Sequence, residues 1–238
     1  GATEPELAGV KDRLKDTFSK KSMQKLIERR SAILLFAQGF FGVFPWQILS
    51  YWLLLYMEVV RNFTGDERML IMFVALIGMA VGNVVAGIMG DWSFKRSQRG
   101  RMVFASVTVA IGLVLFDLAI LVKGGMMTFL LLGTLTAFFI PMAGPSVSAS
   151  VQDISLPEVR SSGLSTLVFF ENIGSASAPF LTGYLADMVG LEMAILMIIT
   201  VTWFLCAVLL GATAILIPND IKWKKLELEQ RAKMLASG

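Results

Sequence analysis

The sequence predicts an all-α, polytopic membrane protein in which six transmembrane helices form an inverted 3+3 repeat. Three observations support this prediction. The 238-residue chain is 55% hydrophobic and 16% charged, whereas a soluble domain carries about 25% charged residues. Six apolar runs each reach the roughly 20 residues that cross the hydrocarbon core of a bilayer. A pattern of small residues and an aspartate in the second run recurs 96 residues later, in the fifth.

The apolar runs lack the strict alternation of barrel strands, so helices are predicted, because a helix pairs its backbone groups internally. The predicted spans are about 31–57, 70–90, 102–122, 126–147, 164–184 and 193–217. A segment at 1–30 precedes this bundle of residues 31–217, and a tail at 218–238 follows it. The spacing of apolar residues in the first segment indicates an amphipathic helix on the membrane surface or, equally, a solvated linker. These residues are Leu7, Val10, Leu14 and Phe18.

The basic residues predict the orientation. With six spans, 18 of the 21 lysines and arginines fall on one side, and only Arg61, Arg68 and Lys123 fall on the other. Lysine and arginine are enriched in cytoplasmic loops, so both termini are predicted to be cytoplasmic in an integral protein of the cell membrane. No nucleic-acid partner is expected.

The composition also excludes several kinds of chemistry. The chain has no histidine and one cysteine, Cys206, which lies in an apolar run, so neither a disulfide framework nor a cysteine metal site is expected. The phosphate loop of ATPases, Gly-x-x-x-x-Gly-Lys-Ser/Thr, is absent. We therefore expect no cofactor, no metal and no enzymatic activity, with energy supplied by an ion or solute gradient.

The repeat lies in the second and fifth spans. Its first copy is Gly78, Gly82, Ala86, Gly87 and Asp91, and its second copy is Gly174, Ala178, Thr182, Gly183 and Asp187. Small residues at every fourth position let helices approach each other closely. Under the predicted topology the two copies run in opposite directions, which is typical of transporters whose sites lie between inverted repeats.

Two stretches resemble a known family. Residues 87–91 read Gly-Ile-Met-Gly-Asp and residues 99–101 read Arg-Gly-Arg. Together they resemble the signature loop of the major facilitator superfamily, Gly-x-x-x-Asp-Arg-x-Gly-Arg-Arg, with extra residues at 92–98. The fifth span, which contains Pro179, resembles a Gly/Pro-rich span of that family, and Pro157-x-x-Arg160 before it also fits.

The resemblance implies secondary active transport of a small organic solute by alternating access, in a spinster-like or general small-solute branch. It implies that this chain is the carboxy-terminal half of a twelve-span protein. Its partners would be the solute, membrane lipid and an amino-terminal six-span half or a second copy. It also implies that Asp91 pairs with loop arginines in a gating motif. The motif comprises Gly87, Asp91, Arg99, Gly100, Arg101, Arg160, Gly183 and Asp187.

Two acids inside the spans are candidates for proton coupling. Glu171 lies well inside the fifth span, where a carboxyl is costly and is either functional or paired. It could be held protonated and couple transport to protons, or it could be a neutral acid bonded to a neighbouring helix. Asp117 lies nearer the outer surface, so a structural role is favoured there. Residues that could line a solute cavity are Gln38, Trp46, Gln47, Tyr51, Asn83, Thr134, Glu171 and Asn172.

Two other classes of protein stay open from the sequence. A non-transporting scaffold or receptor would keep the packing glycines but would not need Glu171. An intramembrane enzyme is disfavoured, because there is no histidine for a serine or zinc protease. A two-aspartate mechanism would need a partner at the depth of Asp117, and none is present.

Overall fold

The computed structural model describes residues 20–236, and this part of the chain contains helices but no strand. The apolar positions from Leu7 to Phe18 lie outside the described residues. The helices are α1 (Lys20–Ile27), α2 (Arg30–Gly42), α3 (Phe44–Val59), α4 (Gly65–Arg96), α5 (Gly100–Leu121), α6 (Met126–Phe139), α7 (Ala143–Ile154), α8 (Arg160–Val189) and α9 (Leu191–Ala236). Short 3-10 turns at Ile140–Met142 and Pro157–Val159 precede α7 and α8.

Five helical stretches of the described chain are long and apolar enough to cross a membrane. They are Arg30–Val59, Gly65–Arg96, Gly100–Leu121, Met126–Ile154 and Leu191–Met234. These stretches confirm the predicted all-α membrane class. The fifth predicted span lies within α8, which is long enough to cross a membrane at 30 residues. Because α8 also contains many serines, Glu171 and Asn172, it is less apolar than the other five stretches. The count of six therefore stays a prediction at α8.

Two of the spans are broken near prolines. α2 and α3 meet at Val43, and Pro45 follows at the start of α3. Because proline has no backbone N–H to donate, it interrupts the helical hydrogen-bond pattern. Pro141 lies in the 3-10 turn between α6 and α7. By contrast, α9 is a single helix of 46 residues, about 69 Å long at 1.5 Å per residue. Residues 218–236 of the predicted tail thus continue the last span as a helix.

The first repeat copy packs α4 against α6 and α7. A Cβ added to Gly78 would contact Thr134, one added to Gly82 would collide with the Phe138 carbonyl, and one added to Gly90 would press on Ser146. The contacts advance together along both helices, so α4 and the α6–α7 pair run parallel. Such close backbone contact requires residues without a side chain.

The second repeat copy makes the equivalent contact between α8 and the α2–α3 pair. A Cβ on Gly174 would collide with the Phe40 carbonyl, and one on Gly183 would lie 3.1 Å from the Trp52 ring. Trp52 also donates a 3.3 Å hydrogen bond to the Pro179 carbonyl. These helices also run parallel, and in the opposite direction to α4. Both repeat units therefore use the same kind of glycine interface.

α5 and α9 pack together through apolar and polar contacts. Phe116 and Trp203 meet edge to face, with ring centroids 6.0 Å apart. The Ser106 hydroxyl donates to the Ala207 carbonyl at 2.8 Å. Both rings are almost completely buried. The third and sixth spans therefore pack as a pair, alongside the two glycine interfaces.

A cluster that we call the terminal collar closes the end of the bundle where α1 meets the last turns of α9. We call this the terminal end, and the opposite end the far end. The collar consists of Lys25, Leu26, Arg29, Glu158, Trp223, Glu227 and Arg231. Lys25 pairs with Glu227 at 2.7 Å, and Arg231 pairs with Glu158 at 2.7 Å. The Arg29 guanidinium lies 3.6 Å from the Trp223 ring centroid.

We expect Leu26→Ala to release α1 from the terminal collar. Leu26 is 2% exposed and packs against Gly163 at the start of α8. Truncating a buried leucine costs about 2–5 kcal/mol. Here the truncation mainly weakens the packing of α1 against the rest of the bundle. Hydrogen exchange of residues 24–29 should therefore accelerate. The neighbouring Ile27 is 48% exposed, so Ile27→Ala should leave exchange unchanged. Equal exchange in the two variants would contradict this packing.

Arg61 ties three spans together at the far end. Its guanidinium donates to the Ala119, Ile120 and Val122 carbonyls at the end of α5. Its Nε donates to the Tyr56 hydroxyl at 3.0 Å. The guanidinium also lies 5.1 Å from the ring centroid of Phe129 in α6. The side chain therefore satisfies carbonyls that the end of α5 leaves without helical partners.

Candidate functional site

A charged cluster joins α4, α5 and α7 at the terminal end. Arg101, at the start of α5, donates to the Asp91 carboxylate at 2.9 Å and also pairs with Asp153 at the end of α7. Arg101 is only 8% exposed. One buried guanidinium thus bridges two carboxylates on different helices, and we call Asp91, Arg101 and Asp153 the latch.

The corner between α4 and α5 positions the latch. The Arg101 guanidinium lies 4.2 Å from the ring centroid of Phe94, which is a cation–π contact. A Cβ added to Gly100 would collide with the Ser93 carbonyl, so glycine allows this close approach. Arg99 is exposed, and its backbone N–H donates to the Ser97 hydroxyl at 3.2 Å. Arg101, and not Arg99, is the arginine that contacts Asp91.

The second copy of the motif forms no equivalent latch. Asp187 is exposed near the far end of α8, and no ion pair to it is found among residues 20–236. Gly183 packs on Trp52, whereas a Cβ on Gly87 would meet nothing within 4 Å. Arg160 begins α8 at the terminal end, within electrostatic range of Asp153. The gating residues thus lie at both ends of the bundle, and only those at the terminal end make a charged network.

Glu171 lies beside α2 near the middle of α8. Its Cγ would be 3.4 Å from a Cβ on Gly39, so glycine at 39 makes room for it. Glu171 is the twelfth residue of α8, about 16 Å from its first residue. The side chain is half-buried, and no hydrogen bond or ion pair to its carboxyl comes from the described residues. This acid is therefore partly desolvated and uncompensated within the chain.

Asp117 has a different environment from Glu171. The Thr200 hydroxyl of α9 donates a 2.8 Å hydrogen bond to its carboxylate. This bond joins the paired helices α5 and α9 and gives the Asp117 carboxylate one hydrogen-bond partner. The arrangement is that of a structural interhelical contact, which the sequence favoured at this position.

The other cavity candidates fall into two sets. Gln38 is buried, and its amide donates to Cys206 Sγ at 3.4 Å, while its Oε1 meets no donor from the described residues. The Thr134 hydroxyl also lacks a partner among them. The exposed or half-buried candidates are Trp46, Gln47, Tyr51, Asn83 and Asn172. Glu171 thus lies against Gly39, which was not a candidate, and the described part of the chain does not gather the candidates into one cluster.

Sequence reasoning missed two members of the terminal-end network. Asp153 completes the latch, and Phe94 supports the Arg101 guanidinium. An available signal for Asp153 was an acid at the end of the fourth apolar run, on the side of the predicted bundle that also holds Asp91. Phe94 lies in the extra residues between the aspartate and the Gly-Arg pair, so the resemblance gave it no role.

These helices define an integral membrane protein of the multi-span helical class. The sequence model of the Major Facilitator Superfamily matches residues 35–237. The chain therefore belongs to the major facilitator superfamily, whose members carry small solutes across membranes and are transporters rather than enzymes. A search of curated proteins found no match to the chain. Its assignment to a carboxy-terminal half and to a spinster-like branch stays a prediction.

Proposed function

We propose that this chain supplies one half of the walls of a solute pathway in a proton-coupled secondary transporter that works by alternating access. The other half would be an amino-terminal six-span unit or a second copy of the chain. The solute would be a small organic molecule that binds near mid-depth, between the halves. Membership of the superfamily supports transport, and the features below support the finer mechanism.

The observation that carries this proposal is the uncompensated carboxyl of Glu171. A charged or polar group at mid-depth rarely faces lipid, and usually faces a water-filled cavity or the bundle interior. Here no partner from the described residues pairs with the acid, although it is half-buried. A carboxyl that can gain and lose a proton in contact with a pathway can couple solute movement to a proton gradient.

The latch supports the alternating-access part of the proposal. In one state of the transporter, Arg101 holds the ends of α4 and α7 together at the terminal end. A contact worth a few kcal/mol is enough to bias two conformations. The concentration of basic residues in the segments at this end supports a cytoplasmic location. The latch would then stabilise the state that is closed to the cytoplasm.

Uptake assays with purified protein that contains both halves of the pathway test this function. In proteoliposomes loaded with the pH dye pyranine, we expect at least one solute from a panel of sugars, amino acids, organic acids and amines to produce a protein-dependent proton flux. Glu171→Gln should abolish that flux, because an amide cannot release a proton. Asp117→Asn is the matched control and should retain it, because its acid contacts Thr200 on α9.

Two outcomes would contradict parts of the proposal. Full proton flux in Glu171→Gln would remove this residue from coupling. If no solute in the panel produced a flux with well-folded protein, the transport proposal would fail, and a scaffold or receptor function would be favoured instead.

A further inference from the structure

We propose that the solute is an organic cation with an apolar body, and that it binds at Glu171 in exchange for the proton on that carboxyl. This inference rests on the proposed function, and it adds the solute class and the direction of exchange. In the exchange, the O–H bond of the carboxylic acid breaks and the proton leaves to the aqueous side. The carboxylate then pairs with the cationic group of the solute without forming a covalent bond.

The first support is the imbalance of charge within the spans. None of the six predicted spans contains a lysine or arginine, and their interior acids are Asp117 and Glu171. Asp117 is engaged by Thr200, which leaves the Glu171 carboxyl as the uncompensated ionisable group. The spans of this half thus contain an unpaired acid and no basic residue, an imbalance that a cationic solute would offset.

The second support is the aromatic surroundings of Glu171. The neighbouring Phe170 stacks on Phe36 of α2, with ring centroids 5.9 Å apart and planes 6° apart. Phe169, two residues before Glu171, is 60% exposed. Aromatic faces attract organic cations and also accommodate apolar groups, so this region fits a cation with a hydrophobic body.

The third support is the location of other charges near α8. Among side chains that the structure describes, the charged ones of the elements packed against α8 lie at the ends of their helices or in α1, and none of them contacts Glu171. On α2 and α3 these are Arg30 and Glu58, on α7 Asp153, on the following turn Glu158, on α9 Glu192 and the residues from Asp220 onward, and on α1 Lys25. A proton or a cationic solute can therefore neutralise Glu171, and each excludes the other.

A pair of probes that differ in charge but not in shape tests the solute class. Tetraphenylphosphonium and tetraphenylborate are nearly isosteric ions of opposite charge. Their binding to full-length protein in nanodiscs can be measured by equilibrium dialysis against empty nanodiscs. We expect tetraphenylphosphonium to bind with an apparent affinity that rises by about tenfold per pH unit while the acid is protonated. Tetraphenylborate should bind no better than to empty nanodiscs.

Variants of Glu171 test whether tetraphenylphosphonium binds at its carboxyl. Glu171→Gln should weaken tetraphenylphosphonium binding by about 30-fold or more, because it removes one partner of a desolvated charge pair. It should also remove the pH dependence. Glu171→Asp keeps a carboxylate and should keep a pH-dependent affinity. Asp117→Asn, the matched control, should bind like the unaltered protein. Thermal unfolding of each variant establishes that it is folded.

The possible outcomes separate this inference from the proposed function. Equal binding of the two probes would overturn the inference, as would tetraphenylphosphonium binding that Glu171→Gln leaves unchanged. A neutral or anionic solute that drives Glu171-dependent proton flux would also overturn it, while the transport function would stand. Conversely, pH-dependent binding of tetraphenylphosphonium without flux from any solute would support the site and contradict transport.

Discussion

Gly82→Ala is expected to destabilise the bundle by about 3 kcal/mol, at the upper end of the range for overpacked sites. A Cβ at this position would collide with the backbone carbonyl of Phe138. Backbone cannot rotate out of the way as a side chain can, so α4 must move away from α6. The same reasoning applies to Gly174→Ala, whose Cβ would collide with the Phe40 carbonyl. Thermal unfolding of purified protein measures both effects.

Gly87→Ala is the matched control for Gly82→Ala. Gly87 lies five residues farther along α4, and a Cβ there would meet nothing within 4 Å. Alanine also favours helix over glycine by roughly 0.5–1 kcal/mol. This variant should therefore unfold at the same temperature as the unaltered protein or slightly above it. If Gly82→Ala were as stable as Gly87→Ala, the close contact between α4 and α6 would be disproved.

Arg101→Ala is expected to open the corner between α4 and α5 and to cost about 1.5–3 kcal/mol, the range for hydrogen bonds to charged groups, because the carboxylates left behind are partly exposed. Arg101 is 8% exposed, and its loss leaves Asp91 and Asp153 without their shared guanidinium. The two carboxylates would then repel each other. Thermal unfolding measures the loss of stability, and hydrogen exchange in residues 91–101 measures the local opening.

Neighbouring variants set the expected rank order for the latch. Asp153→Asn should cost more than Asp91→Asn, because the Asp153 side chain is 32% exposed and that of Asp91 is 70% exposed. Arg99→Ala is the matched control, since Arg99 is exposed in the same loop and lies outside the latch. Its stability should stay within about 0.5 kcal/mol of the unaltered protein. A loss as large as that of Arg101→Ala would contradict the assignment of the latch arginine.

Hydrophobicity and glycine spacing were sufficient to predict the class of fold. Apolar runs long enough to cross a bilayer have few structural alternatives, so the helices could be predicted from composition. The repeat could also be predicted, because Gly82 and Gly174 mark places where backbones touch. α8 was harder, because its serines and Glu171 make it resemble a polar helix. Its polarity is what a pathway-lining helix would need.

The contents of the candidate site were less predictable than the fold. Sequence order does not show which arginine reaches Asp91, because Arg99 and Arg101 are two residues apart and face different directions in the folded corner. Asp153 joins them only through the packing of α7 against α5. Glu171 could be recognised without the structure, because an acid within an apolar run is unusual in any context. Its lack of a partner could be found only from the folded helices.

The carbonyl contacts of Arg61 have a consequence for how acid acts on the two ends of the bundle. A peptide carbonyl does not take up a proton near neutral pH, so acidification leaves the far-end tie among the first, third and fourth spans intact. The latch at the terminal end depends instead on the charges of Arg101 and its two carboxylates. The Arg61 tie therefore holds these three spans together under conditions, such as acid, that weaken ion pairs with carboxylates.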